Sequence, residues 1–257
     1  MEELHTQNDS IFYKYKGVGK TCRVPNRIKT IGEGAFSGCT ELEKVVLPKG
    51  LEYIEAAAFE GCNSLTKVVL PKSIRFIGAG AFRGCGALRE ITLPPELECV
   101  SESAFEACSS LEFIEIHNGI RVIKDNAFKG CTSLDMIIIS HKISEICDSA
   151  FLGCTNLTEA VMPFETEENL IIGRKAFSNC EKLKLFAAPK GTIEIRDCAF
   201  ANCYDLELVD IPDSARFIPF DAFMNCPSLS ILACYNSYAR EYARENGIPF
   251  IHRDLII

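Results

Sequence analysis

Two short stretches of the sequence are typical of phosphate chemistry, but neither has the surroundings that this chemistry needs. Gly17–Thr21 reads GVGKT, the end of a phosphate-binding P-loop, yet position 14, where the motif needs its first glycine, is Lys14. His252–Leu255 reads HRDL, as in the catalytic loop of protein kinases, but no kinase glycine-rich loop or D-F-G precedes it. We therefore interpret GVGKT as a turn between two strands and expect no catalysis at HRDL.

The cysteines and histidines, which often bind metals, lack the spacing of a ligand set. None of the 14 cysteines forms a C-x-x-C pair, so zinc and thioredoxin-like redox sites are not indicated. His117 and His141 fall at the rim of adjacent repeats, where they could approach each other, and a solvated pair is the simpler alternative to a metal site. We therefore predict no metal, no cofactor and no catalytic residue.

A repeat built on the dipeptide Ala-Phe organises the whole chain. It occurs nine times, with the phenylalanines 23 residues apart in seven of the eight intervals and 26 apart in the other. Each Phe is followed by Cys at position +3 and Leu at +6, counted from the Phe, and is preceded at −5 by Ile or once by Val100. Such regularity predicts a solenoid, in which each coil presents the same side chains to its neighbours. The phenylalanines are Phe36, Phe59, Phe82, Phe105, Phe128, Phe151, Phe177, Phe200 and Phe223.

The repeat resembles a known family. Residues 31–48, IGEGAFSGCTELEKVVLP, follow the pattern I-x-x-x-A-F-x-x-C-x-x-L-x-x-I-x-L-P of the BspA-like bacterial leucine-rich repeats. The resemblance covers about residues 20–250. The resemblance implies a leucine-rich-repeat fold and a protein-binding function, and it implies no catalytic residue.

The pattern within each repeat predicts an α/β solenoid with a parallel sheet on one face. Ala, Phe and Cys are expected on one side of a short helical turn that ends at +2, where Gly or Asn stands except at Ala107. A strand follows with apolar residues at +9 and +11, and a short return segment, apolar near −8 and at −5, forms the other face. We predict one domain over residues 1–257, with an N-terminal tail and capping coil (1–24), nine full repeats (25–235) and a C-terminal cap and tail (236–257).

Two segments depart from the repeat. Three extra residues fall in 163–172, PFETEENLII, which we expect to form an acidic loop that is either a neutral insertion or a binding loop. Ser237–Phe250 reads as a short helix that caps the last coil, stopped by Gly247 and Pro249. The same exposed end could recruit a second copy, so a weak homodimer is an open alternative.

The composition of the chain limits which kinds of partner and which cellular compartment are expected. The net charge is −8, which argues against nucleic acid or an anionic membrane as the main partner, and no stretch is apolar enough to insert into a membrane. The N-terminus, MEELHTQNDS, is not a signal peptide as written, so we expect a cytoplasmic location, or a cell-surface or secreted one if a signal was removed. Nine of the cysteines share position +3 and cannot all pair, so they are expected to be reduced and buried, as in a reducing compartment.

The outward positions of the strands, +8, +10 and +12, are where function is expected. At +8 the series begins with charged residues (Lys44, Lys67, Glu90) and then becomes largely apolar. An apolar cluster on a water-facing sheet indicates either an interface or a well-packed local surface. The predicted partner-binding residues are Phe113, Met136, Ile138, Val161, Leu185, Leu208 and Ile231. We predict a non-catalytic module that binds a protein partner there; the alternatives are an exported adhesin of the same fold and an enzyme with a site on the concave face.

Overall fold

The computed structural model describes residues 4–5 and 10–253, and nearly all of its regular structure is short strands. In chain order the first half contains β1 Leu4–His5, β2 Ile11–Phe12, β3 Lys14–Tyr15, β4 Thr21–Arg23, β5 Thr30–Ile31, β6 Lys44–Val46, β7 Tyr53–Ile54, β8 Lys67–Val68, β9 Phe76–Ile77, β10 Cys99–Val100, β11 Phe113–Ile116 and β12 Val122–Ile123. The second half contains β13 Met136–Ile139, β14 Glu145–Ile146, β15 Glu159–Val161, β16 Glu165–Ile172, β17 Leu185–Ala187, β18 Lys190–Ile195, β19 Leu208–Asp210, β20 Ser230–Ala233, α1 Tyr238–Glu245 and β21 Phe250–His252.

The strands form two faces of a parallel solenoid, as the repeat pattern predicts. The front sheet contains β4-β6-β8 and β11-β13-β15-β17-β19-β20-β21, and single bridges from Glu90 to Lys67 and to Phe113 join the two parts. The back strands form β2-β5-β7-β9 and β10-β12-β14-β16-β18. Equivalent residues of successive coils pair in register, as Phe113 does with Met136. A residue pattern that repeats every coil therefore becomes a row of identical neighbours along the stack.

The Ala-Phe segments connect the back strands to the front sheet as successive turns, so the predicted helical turn is wrong. Within a coil Ala35, Ser37 and Cys39 each bond the carbonyl three residues earlier. Between coils the amides at −2, 0 and +2 donate to the next coil, as Phe36 does to the Ala58 carbonyl at 2.7 Å. A helix would direct these amides along its own axis, whereas here they join neighbouring coils and satisfy the buried backbone.

Left-handed residues make these turns possible. Position +2 has positive φ in all nine coils, which confirms the left-handed backbone predicted for Gly and Asn. Ala107 adopts the same conformation with φ 58°, so this coil ends as the others do, with a Cβ in a disfavoured region. Position −2 is also left-handed in eight coils, including Lys175 and Asn126, which the sequence pattern did not reveal.

We expect Ala107→Gly to raise the free energy of unfolding by about 0.5–1 kcal/mol, because glycine relieves the left-handed strain at a modest entropic cost. Gly130→Ala is the reverse substitution and serves as the control. Gly130 has φ 72°, and an added Cβ would meet only ordinary contacts, at 3.8 Å from Ala107. That variant should lose a similar amount. Denaturant unfolding of both variants measures the pair, and destabilisation by Ala107→Gly would show that this Cβ contributes packing instead.

The nine phenylalanines form one continuous ladder between the two faces. Successive rings stack with centroids 4.8–5.5 Å apart and planes within 12°. At the N-terminal end Phe12 stacks on Phe36 at 4.9 Å, so the incomplete coil at 11–24 closes the core as expected. The rows at −8, −5, +6 and +9 pack beside the ladder, and one apolar core extends from Phe12 to Ala243.

The cysteines at +3 are free thiols with a hydrogen-bonding role. From Cys62 to Cys226 each thiol donates to the Phe carbonyl of the preceding coil at 3.1–3.4 Å. All 14 cysteines lie in the described part of the chain and none is in a disulfide, and seven of the nine at +3 are buried. Cys39 and Cys226 are only partly buried, so the prediction that all nine are buried is wrong at the two end coils, which each lack one full neighbour. Burial raises the pKa of Cys62 to about 12.

Thiol titration should separate the two states of the protein sharply. Unfolded in denaturant without reductant, the chain should release all 14 thiols to a colorimetric reagent. In the folded protein, the buried thiols such as Cys131 should react very slowly at pH 8, because burial raises their pKa and blocks the reagent. Recovery of far fewer thiols from the unfolded chain would show that disulfides hold the stack.

The insertion and the C-terminus both add strands that the sequence did not predict. Glu165–Ile172 is not a loop: it forms β16, which pairs irregularly with β18, while Glu168 pairs with Arg121 at 2.5 Å. The C-terminal helix caps the last coil as expected, with Ser237 as its N-cap and Ala239, Tyr242 and Ala243 buried. The chain then adds β21 to the front sheet beside β20.

Candidate interaction surface

Alternation along each front strand separates a buried side from a solvent-facing side. In β11 and β13 the residues at +9 and +11 are buried, including Ile114 and Ile137. The residues at +8 and +10 face outward in every coil but the last, where Ile231 and Ala233 are buried, so two of the three rows expected to be exposed are confirmed for the first eight coils. Most of the third row, +12, is not exposed as predicted: Pro48, Pro94 and Ser140 are buried, because the chain turns at this position toward the return segment, whereas Tyr235 in the last coil is exposed.

Four of the predicted binding residues form one compact group, which we call the apolar quartet: Phe113 and Met136 at +8, and Ile138 and Val161 at +10. Phe113 pairs in register with Met136, and Ile138 with Val161. Neighbouring strands lie about 4.8 Å apart, so these side chains are adjacent on the outward face. Phe113 is 38% exposed and Val161 37%, while the other two are half-buried. The quartet is therefore a continuous apolar surface open to solvent.

Leu185 and Leu208 extend this surface beyond Glu159, but Ile231 does not belong to it. Leu185 is 57% exposed and pairs with Leu208, which is half-buried. Ile231 is fully buried, so its assignment to the binding surface is wrong. In the last coil the strand starts one residue early, and Ser230 pairs with Leu208 while Ile231 pairs with the buried Val209. This register keeps the Ser230 hydroxyl near solvent and places Ile231 in the core.

Charge divides the front face into two halves. The first coils present lysines, of which Lys20 pairs with Glu43 at 2.7 Å and Lys67 pairs with Glu90. Around the quartet the charged residues are mainly acidic. Glu115 and Glu159 lie in the same rows as the quartet and form no ion pair with any residue that the structure describes.

Other exposed apolar residues were not assigned to the site from the sequence. Val69, on the front face, is 68% exposed beside Lys44 and Lys67, where a cleft of about 480 Å³ opens. On the back, Tyr53 and Phe76 pair in register and are 36% and 41% exposed. The sequence signal for this second aromatic row is position −6 of the repeat, which carries Tyr53, Phe76 and Phe217.

The residues considered for chemistry have structural partners. Lys14–Tyr15 and Thr21–Arg23 are strands, so GVGKT is a turn as predicted, and the HRDL residues Asp254 and Leu255 lie outside the described residues. Arg253 pairs with Asp210 and donates to the Ile211 carbonyl at 2.8 Å, which ties the last strand to the stack.

The two rim histidines are held by separate contacts. The Nε2 atom of His117 lies 2.8 Å from the Pro94 carbonyl oxygen, and its Nδ1 accepts a hydrogen bond from the Gly119 amide. Nε2 of His141 lies 3.2 Å from the Glu167 carboxylate. In residues 4–5 and 10–253, no group of three or more His, Cys, Asp or Glu side chains is placed to hold a metal ion.

The described part of the chain contains no helix that is both long and apolar enough to cross a membrane.

Comparison with known proteins agrees with the geometry. The profile of the BspA type Leucine rich repeat region matches six copies, over residues 5–131, 54–170 and 164–243. A leucine-rich-repeat protein of T. pallidum is 28% identical, with a TM-score of 0.64 over 71% of this chain and 87% of that one. The pneumococcal vaccine antigen PcpA is 17% identical, with a TM-score of 0.58 over 91% of this chain and 67% of that one. No curated protein sequence matches the chain.

The parallel stack, its Phe ladder and its outward strand rows define a leucine-rich-repeat solenoid, a class that generally serves in protein interaction or as surface proteins and is generally non-catalytic. The chain belongs to the BspA-type leucine-rich-repeat family.

Proposed function

We propose that the protein is a non-catalytic interaction module that binds a protein partner on the outward face of its front sheet. The binding surface comprises the apolar quartet together with Leu185 and Leu208. Leucine-rich-repeat solenoids present an extended binding surface built from equivalent positions of successive strands, and we assign that role to this face. We propose that the repeats act together as a single binding unit.

One observation carries the proposal: large apolar side chains occupy adjacent water-facing positions of a regular sheet. Outward strand positions normally carry polar residues, and contiguous exposed apolar surface marks interaction sites. Phe113 and Met136 are the expected anchors, because aromatic and flexible thioether side chains contribute much of the affinity at interfaces. Buried residues supply the packing, so the outward rows have no structural need to be apolar.

The enzyme alternative finds less support than binding. Seven of the nine cysteines at +3 are buried in the core, where burial raises the pKa of thiols such as Cys108 and disfavours the nucleophilic thiolate. The residues singled out for chemistry in the sequence have contacts that hold turns or strands together. A binding role uses the surface that the repeat itself builds.

Affinity capture tests the proposal. Immobilised wild-type protein should retain a specific protein from an extract of the source cells, and Phe113→Ser with Leu208→Ser should lose most of it. Truncating an anchor residue such as Phe113 costs about 2 kcal/mol or more, so retention should fall at least tenfold.

The matched control replaces two exposed aromatics on the back face, Phe76→Ser with Phe217→Ser, which are 41% and 47% exposed. This variant should retain the partner as the wild type does. If the front variant keeps its fold and binds equally well while the back variant fails, the interface lies on the back strands and the proposal is wrong.

For location, we propose a reducing compartment. The support is that no disulfide joins any of the 14 cysteines, all of which lie in the described part of the chain, and that the eight thiol–carbonyl bonds would be lost if neighbours were bridged. A surface location is the competing candidate, which the family also allows. Fractionation of the native cells, with protease treatment of intact cells, distinguishes the two: degradation by external protease would establish the surface location.

A further inference from the structure

The surplus of negative charge on the front face is concentrated around the apolar quartet. In the first coils acidic and basic side chains neutralise each other, as Lys20 does with Glu43 at 2.7 Å. Around the quartet, Glu112 lies 3.9 Å from Arg89, its nearest cation, and both side chains are largely exposed. Acidic side chains therefore begin to outnumber basic ones on the front face where the apolar surface begins.

Three carboxylates border the quartet closely and have no cationic partner among the described residues. Glu115 pairs in register with Ile138, and Glu159 pairs with Met136. Asp135 precedes Met136, and its carboxylate accepts a hydrogen bond from the Thr158 hydroxyl at 2.6 Å. All three residues are exposed. Each carboxylate thus lies within one strand spacing or one residue of an apolar side chain of the quartet.

From this arrangement we propose that the partner presents a segment in which apolar side chains are flanked by lysine or arginine. This inference rests on the proposed function and specifies the chemistry of the partner. Apolar groups of the segment would cover the quartet, while its cations would lie against Glu115, Asp135 and Glu159. Complementary charges at the border of an apolar surface orient a partner and exclude segments of like charge. An acidic amphipathic segment would meet three unpaired carboxylates and is rejected.

Selection from a library of random peptides displayed on phage tests this chemistry without a known partner. Peptides are selected on the wild type and depleted on the variant Phe113→Ser/Ile138→Ser, whose net charge is unchanged. Depletion removes peptides that bind only through the overall charge of −8. The surviving peptides should combine apolar residues with an excess of lysine and arginine.

The affinity of a selected peptide then tests the three carboxylates directly. Glu115→Lys/Glu159→Lys should weaken binding about tenfold or more, since like charges now face each other. Glu33→Lys/Glu102→Lys makes the same change in net charge at exposed positions in the turn segments and should change affinity less than about twofold. Circular dichroism confirms that each variant keeps its fold.

The outcomes separate this inference from the proposed function. Selected peptides that lack a basic excess, or equal losses from both charge reversals, overturn the basic chemistry and leave the front-face site in place. If no peptide distinguishes the wild type from Phe113→Ser/Ile138→Ser, the front face does not bind peptides and both proposals fail.

Discussion

Phe128→Ala is expected to lower the free energy of unfolding by about 3–5 kcal/mol. The Phe128 ring is fully buried, with the rings of Phe105 and Phe151 at 5.4 and 5.2 Å on either side. Removing it deletes apolar contacts and leaves a cavity. That cavity cannot close easily, because the hydrogen bonds of the Phe128 and Phe105 amides to the next coils fix the coil spacing. Denaturant-induced unfolding, followed by circular dichroism, measures the loss.

Phe220→Ala is the matched control, because the Phe220 side chain is 82% exposed. Its substitution should change stability by less than about 0.5 kcal/mol, as is usual for exposed sites. A loss below about 1 kcal/mol for Phe128→Ala, or equal losses for the two variants, would contradict the ladder as the main source of stability in the core.

Deletion of residues 237–257 is expected to destabilise the last coils by about 3 kcal/mol or more, and to cause self-association. The deletion removes α1, whose Tyr242 ring lies 6.1 Å from Phe223 at the end of the ladder. It also removes β21, which pairs with β20, and the ion pair between Arg253 and Asp210. The buried Ile231 and Phe223 would then face solvent, beside an unpaired strand edge. Light scattering and thermal unfolding measure the two effects.

Two tyrosines of the same helix provide a point-substitution version of this experiment. Tyr242 is buried against the ladder and Tyr238 is 43% exposed. Tyr242→Ala should reproduce much of the instability, whereas Tyr238→Ala should have little effect. If the truncated protein stays monomeric with an unchanged melting temperature, or if the two substitutions have equal effects, the C-terminal segment does not cap the stack.

The repeat predicted most of the fold because a solenoid turns sequence period into spatial neighbours. Once Phe36 to Phe223 are aligned, the buried rows at −8, −5, +6 and +9 follow, and the structure confirms them. The conformation of the turn segments could not be predicted from the repeat, because the spacing of Ala, Phe and Cys fits one side of a helix as well as a series of turns. What distinguishes them is the left-handed backbone at −2, which Lys175 and Ser149 adopt although their residue types do not favour it. Hydrogen bonds between coils stabilise that backbone, and these are tertiary interactions.

The ends of the stack were harder to predict for a related reason. Counting from Phe223 places Ile231 at +8, but strand pairing with β19 decides the register, and it puts Ile231 inward. The insertion forms β16 because neighbouring back strands offer hydrogen-bonding partners that its composition does not reveal. Of the predicted binding residues, Phe113, Val161 and Leu185 are exposed, and Met136, Ile138 and Leu208 are partly so. Their role in binding stays a prediction.

Site-specific photo-crosslinking tests the central claim, binding through the front face, most directly. A photoreactive phenylalanine analogue replaces Phe113 on the front sheet or, as the control, Phe76 on the back, two residues of nearly equal exposure at 38% and 41%. After irradiation in the source cells, we expect a discrete crosslinked protein from position 113 and none from position 76. A crosslink from position 76 with none from position 113 would contradict it.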